Sequence, residues 1–130
     1  EKAYSLDSSY VAPLMEEASY FFQFQREEAY KLYSRVISVD PNNVYAYEQR
    51  AMISGFFGSD YKSAINDITK CIEFTDDSDR KCNYYEKRAS YKTDFGDYRG
   101  AIDDLTDAIN LIEYCSYYNQ RADAKYEIKD

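Results

Sequence analysis

The chain has 130 residues, 45% of them hydrophobic, and a formal net charge of -8, so one domain with a continuous core is affordable and basic or neutral partners are favoured over phosphate backbones and anionic membrane surfaces. Histidine is absent, which excludes Ser-His and Cys-His nucleophile pairs, imidazole-ligated zinc and a histidine pH switch. Four Gly and two Pro are too few for the many tight turns of an all-β protein, and they point to helices.

In chain order, the hydrophobic pattern predicts helices near 10–24, 26–38, 43–57, 60–74, 79–95, 97–114 and 116–129, about seven in all. Ser9, Asn43, Asp60, Asp79, Asp97 and Ser116 stand where a short side-chain oxygen can accept from the free amides of a first helical turn. Asp76-Asp77-Ser78-Asp79 lacks the glycine and glutamate of a twelve-residue calcium loop and reads as a solvated connection. Asp94-Phe95-Gly96 spells a kinase magnesium motif but has neither a glycine-rich loop nor a catalytic loop beside it, so Gly96 reads as a turn. Cys71, Cys82 and Cys115 are odd in number and show no Cys-x-x-Cys spacing; reduced thiols and a cytoplasmic setting are favoured, with Cys71 an inert core thiol. No apolar run approaches the roughly 20 residues that cross a bilayer, and no secretory signal pattern stands at the N-terminus. The chain begins at Glu1, so a removed leader or further repeats stay open.

Self-comparison organises these helices. Tyr47-Glu48-Gln49-Arg50-Ala51, Tyr85-Glu86-Lys87-Arg88-Ala89 and Tyr118-Asn119-Gln120-Arg121-Ala122 are three copies of one motif. The second helices also align: Tyr61 through Ile68 matches Tyr98 through Leu105 at an offset of 37, and an earlier copy around Ala29 precedes Ala64 by 35. Two helices and two turns at such a period signal a solenoid, in which each pair buries one stripe internally and a second against its neighbour.

The pattern resembles the tetratricopeptide-repeat (TPR) family from about Val11 onward. That resemblance implies an all-α fold: a right-handed α-solenoid of antiparallel helix pairs in a single domain spanning 1–130, with repeats near 10–42, 43–78 and 79–115 and a capping helix at 116–129. It makes Ala51 and Ala89 the small residues of first helices, and Ala29, Ala64 and Ala101 those of second helices. Tyr20, Tyr61 and Tyr98 become packing aromatics and Asp40-Pro41-Asn42-Asn43 a repeat-ending turn. Ser59 is an extra residue, the link 75–80 is about three residues long in excess, and Lys92 stands where an aromatic is expected, beside Tyr91.

The implied function is a protein–protein interaction module, with no catalytic residue, metal or cofactor. If the first helices line the groove, Leu14, Ala18, Phe21 and Phe22 face it from the first repeat, Tyr45, Glu48, Met52 and Phe56 from the second, and Asn83, Glu86, Ser90 and Asp94 from the third. Asn119, Asp123, Tyr126 and Glu127 follow from the last helix. Such a groove is apolar at one end and acidic at the other, suiting an apolar protein or peptide segment that carries Lys or Arg. The two-carboxylate clamp by which some family members hold chaperone C-terminal tails maps onto Leu14, Ala18, Gln49, Asn83 and Lys87; only Lys87 is charged, which disfavours such tails. Asp67, Asp103, Asp104 and Asp107 are expected on the wet outer face of second helices. The alternatives are a self-assembling homo-oligomeric repeat and an accessory domain of a larger protein; nucleic acid and membrane insertion are not expected.

Overall fold

A computed structural model describes residues 8–111 and, beyond them, residues 121, 124, 125 and 127. Six α-helices follow in order: α1 Val11–Phe24, α2 Arg26–Val39, α3 Val44–Ala51, α4 Tyr61–Phe74, α5 Ser78–Phe95 and α6 Tyr98–Leu111. A 3₁₀ turn, Ser8–Tyr10, leads into α1, and a π-helical turn, Met52–Phe57, continues α3. The described residues contain no strand and no helix long and apolar enough to cross a membrane. Each helix packs on the next through a short connection, giving an antiparallel zigzag that winds as a right-handed solenoid. Residues 121, 124, 125 and 127 are helical, whereas Cys115, Ser116 and most of the expected capping helix lie outside the described residues.

Local chemistry sets the helix ends. Asn43 accepts from the Ala46 amide at 3.0 Å, Asp60 from Ser63 at 3.2 Å and Asp97 from Gly100 at 3.0 Å. The cap of α5 is Asp77, not Asp79: its carboxylate accepts from the Asp79 and Arg80 amides at 2.9 and 3.4 Å. The helix therefore starts at Ser78, and the excess residues of the long link become helix instead of loop. Ser9 lies inside the 3₁₀ turn, and the residue at the cap position of α1 is Tyr10, which makes no side-chain cap bond. Gly96 ends α5 with φ 93°, the left-handed stop that glycine adopts without penalty. The second repeat is one residue longer between Tyr47 and Asp60 than the third is between Tyr85 and Asp97. A π turn is wider than an α turn, so Met52–Phe57 absorbs the excess together with Ser59 at φ 56°.

Alanine marks the helix crossings. Ala18, Ala29, Ala51, Ala64, Ala89 and Ala101 are all buried, at 2% exposure or less. The middle crossing is close: a Cβ added to Gly55 would stand 2.7 Å from Cβ of Ala64 and 2.5 Å from Cε1 of Tyr91. Tyr91, not its neighbour Lys92, therefore supplies the aromatic at this position, and Tyr61 packs beside it with ring centroids 6.5 Å apart. Tyr20, expected to pack, is 65% exposed.

The largest correction concerns two aspartates. Asp67 and Asp104 are not on the wet face: they are buried, at 5% and 2% exposure. Arg50 on α3 grips Asp67 on α4 with two bonds of 2.8 and 2.7 Å, and its third arm reaches Ser34 on α2 at 3.1 Å. Arg88 on α5 repeats the arrangement, gripping Asp104 on α6 through Nε at 3.0 Å and through Nη2, and reaching Thr69 on α4 at 3.1 Å. Each arginine thus ties its own helix pair to the preceding one through fork-shaped, charge-assisted bonds. In the first pair both partners are missing together: Glu17 replaces the arginine and is exposed, while buried Leu32 replaces the aspartate. Asp103 and Asp107 are exposed, as expected.

Burial raises the pKa of Tyr33, Tyr84, Tyr85 and Tyr91 above the usual 10, because a phenolate loses hydration inside the protein. A phenol that holds its proton more tightly when folded stabilises the fold at every pH below 10 and loses that contribution as pH rises through the folded pKa. Melting temperature is therefore expected to fall steeply above pH 10; a profile flat from pH 8 to 11 would contradict the burial of these rings. The Cys71 thiol, beside the Val44 carbonyl at 3.5 Å, is pushed up to about 12 by burial and by the nearby Glu48 and Asp67 charges, so it is an inert core thiol.

Candidate peptide groove

Two adjoining cavities run along α5. The first, of about 650 Å³, lies between α3 and α5 and is lined by Glu48, Arg80, Asn83, Tyr84, Glu86, Lys87 and Ser90. The second, of about 620 Å³, is bounded by α5, α6 and the last helical residues, and its lining includes Ser90, Thr93, Asp94, Tyr98 and Glu127 over Ala89, Leu105 and Ala124. The long α5 is what connects them: Asn83, Glu86, Ser90 and Asp94 recur at three or four residues, so one helical face carries all four. Among the described residues no group of His, Cys, Asp and Glu is arranged to hold a metal ion.

The residues expected from the sequence divide into four sets. Glu48, Asn83, Glu86, Ser90, Asp94 and Glu127 line the two cavities. Tyr45 is 46% exposed, Met52 is half-buried, and Phe56, at 73% exposure, stands on the π turn with its ring 4.9 Å from that of Phe57. Leu14 and Ala18 belong instead to the first core cluster, with Phe21 and Phe22 half-buried against it. The reason is register. Ala18 is the equivalent of Ala51 and Ala89, so it faces α2, and the α1 residues matching Glu48 and Met52 are Met15 and Ser19. Neither is charged, so the mismatch with a two-carboxylate clamp remains. Asn119, Asp123 and Tyr126 lie outside the described residues.

Arg80 and Tyr84, absent from the residues expected from the sequence, give the first cavity, with Lys87, a chain of polar contacts. Arg80 Nη2 donates to the Tyr84 hydroxyl at 3.4 Å, and that hydroxyl meets Oε2 of Glu48 at 3.1 Å. Lys87 Nζ stands 4.0 Å from the other Glu48 oxygen. The missed signal was spacing: Arg80, Tyr84 and Lys87 are four and three apart on one face of α5. Formal charge in this cavity balances, two acidic against two basic side chains, whereas Asp94 and Glu127 make the second cavity acidic.

No protein-family model and no curated protein matches the chain. Solved structures do. The first TPR of Spaghetti (RPAP3), bound to the HSP90 peptide SRMEEVD, is 19% identical with a TM-score of 0.77, covering 96% of this chain and 98% of that one. The N-terminal domain of stress-induced protein-1 (STI-1) from C. elegans is 13% identical with a TM-score of 0.81, over 91% and 96% of the two chains. The Yersinia enterocolitica type III secretion chaperone SycD, in complex with a peptide of the translocator YopD, is 16% identical with a TM-score of 0.77, over 94% and 97%. The chain therefore has the TPR fold.

Proposed function

We propose that this chain is a non-enzymatic protein-interaction module whose three helix pairs act as repeats, closed by a helix over 116–129, and that it holds an extended or helical protein segment along α5. The observation that carries this reading is the continuity of the two cavities: Ser90 lines both, so one segment could occupy them in succession. Two of the similar structures, RPAP3 and SycD, hold peptides on the same fold. The acidic second cavity suits a Lys or Arg of the partner, and exposed Tyr45 with half-buried Met52 suits an apolar neighbour.

Once a bound segment is in hand, Tyr45→Ala and Met52→Ala should each weaken it by about 1 kcal/mol or more without unfolding the protein, read by titration calorimetry. Glu86→Lys combined with Asp94→Lys should weaken it several-fold more at low salt than at high salt. Full affinity in these variants, with loss on reversing Asp103 and Asp107, would move the site to the opposite face.

Self-assembly has one observation in its favour, the exposed rings of Tyr20, Phe24 and Phe56 at 65%, 71% and 73%. Growth of the particle with concentration in light scattering would support it; a constant monomer mass would reject it.

A further inference from the structure

We infer that Glu48 is the specificity-determining residue of the first cavity: its carboxylate is a built-in occupant of the basic side of the groove, so that anionic segments are refused and neutral or basic ones accepted. The inference rests on the groove reading and adds the charge class of the partner.

Arg80 and Lys87, the two cationic side chains of this cavity, and the Tyr84 hydroxyl between them form an arc along α5 to which an incoming carboxylate would bind. Glu48 approaches that arc from α3. One of its oxygens meets Tyr84 at 3.1 Å and the other stands 4.0 Å from Lys87, while Arg80 reaches the same Tyr84 hydroxyl at 3.4 Å. The Glu48 side chain is only 23% exposed, so its charge acts where water screens it poorly. A partner carboxylate would have to displace it and then lie beside it as a like charge, an arrangement that costs affinity and excludes wrong partners. A lysine or an uncharged residue meets no such penalty, and Asp94 and Glu127 in the next cavity reinforce the preference.

The probes are two fluorescein-labelled peptides, SRMEEVD and its charge-reversed, amidated counterpart SRMKKVK, each titrated against the intact chain by fluorescence anisotropy at low salt. The wild type should bind the basic peptide at least tenfold more tightly than the acidic one. Glu48→Gln keeps the shape and an acceptor for Tyr84 while removing the charge; it should tighten the acidic peptide at least tenfold, and Glu48→Ala should do the same if the amide itself disturbs the cavity. Adding Arg80→Ala and Lys87→Ala together to either variant should abolish the gain, because the freed cationic arc is what receives the anion. Unchanged affinity for the acidic peptide in both Glu48 variants, or a gain that survives the loss of both cations, would overturn the inference and leave the groove reading standing. Failure of both peptides to bind any of these folded proteins would instead remove the groove reading, and the inference with it.

Discussion

Asp104→Ala is expected to destabilise the protein by about 3 kcal/mol or more, read from the midpoint of urea unfolding at unchanged slope. The carboxylate is 2% exposed and serves two cations, Arg88 with its bidentate grip and Lys92 at 3.0 Å. Removing it leaves both charges in a site with little water. Arg88 and Lys92 side chains retain 16% and 18% exposure, and this partial access to solvent holds the cost near the lower end of the range for a broken buried pair. Asp67→Ala strands Arg50 alone, so a smaller loss is expected there. Exchanging Arg88→Met together with Asp104→Leu should recover only part of the loss, because the apolar pair carries no desolvation cost while Lys92 stays unpaired; adding Lys92→Met should recover most of it. The first helix pair already lives without the ion pair, with Leu32 at the aspartate's position. A loss below 1 kcal/mol for Asp104→Ala would mean that this carboxylate is hydrated in solution.

Ala64→Leu should cost about 1 to 3 kcal/mol or somewhat more, lowering the melting temperature by roughly 4 °C per kcal/mol for a domain of this size. Ala64 is fully buried where α4 crosses the π turn, and its partner there is Gly55, which leaves no room for even one added carbon beside Tyr91. Three extra carbons at Ala64 must push α4 off the turn or drive Tyr91 out. Gly55→Ala probes the same crossing from the other side and should also destabilise, and Ala101→Leu tests the equivalent, fully buried position of α6. An unchanged melting temperature in all three would show that the helices do not cross at these residues.

The repeat architecture was legible because identical residue types recur at offsets of 33 to 38 residues: the alanines at the crossings, and the aspartates that cap α4 and α6. The buried aspartates were not, although the signal was present. Asp67 falls on the stripe of Ala64, Ile68, Cys71 and Ile72, and a charge on an apolar stripe needs a partner, which the recurring Arg50 and Arg88 supply. Reading Asp104 beside Asp103 as a charge run hid that periodicity. The register of α1 failed for a different reason: Leu14-Met15-Glu16-Glu17-Ala18 lacks the Tyr and Arg of the later motifs, so only the alanine anchors it. Two carboxylates on either side of Ser78 concealed the start of α5, since Asp77 and Asp79 are both good caps and only the chain path decides between them.

Of the groove, the acidic residues of α5 were legible from helical spacing alone, whereas the contact between α3 and α5 that brings Glu48 to Tyr84 depends on how two repeats stack. That stacking places the expected ligand surface on α5. Its most direct test is nuclear magnetic resonance on isotope-labelled protein, titrated with peptides selected from a random display library against the intact chain. Backbone signals of Asn83, Glu86, Ser90 and Asp94 are expected to shift together and saturate with one affinity, while Asp103 and Asp107 stay still. Shifts confined to Asp103, Asp107 and their neighbours on the outer face of α6 would contradict that placement.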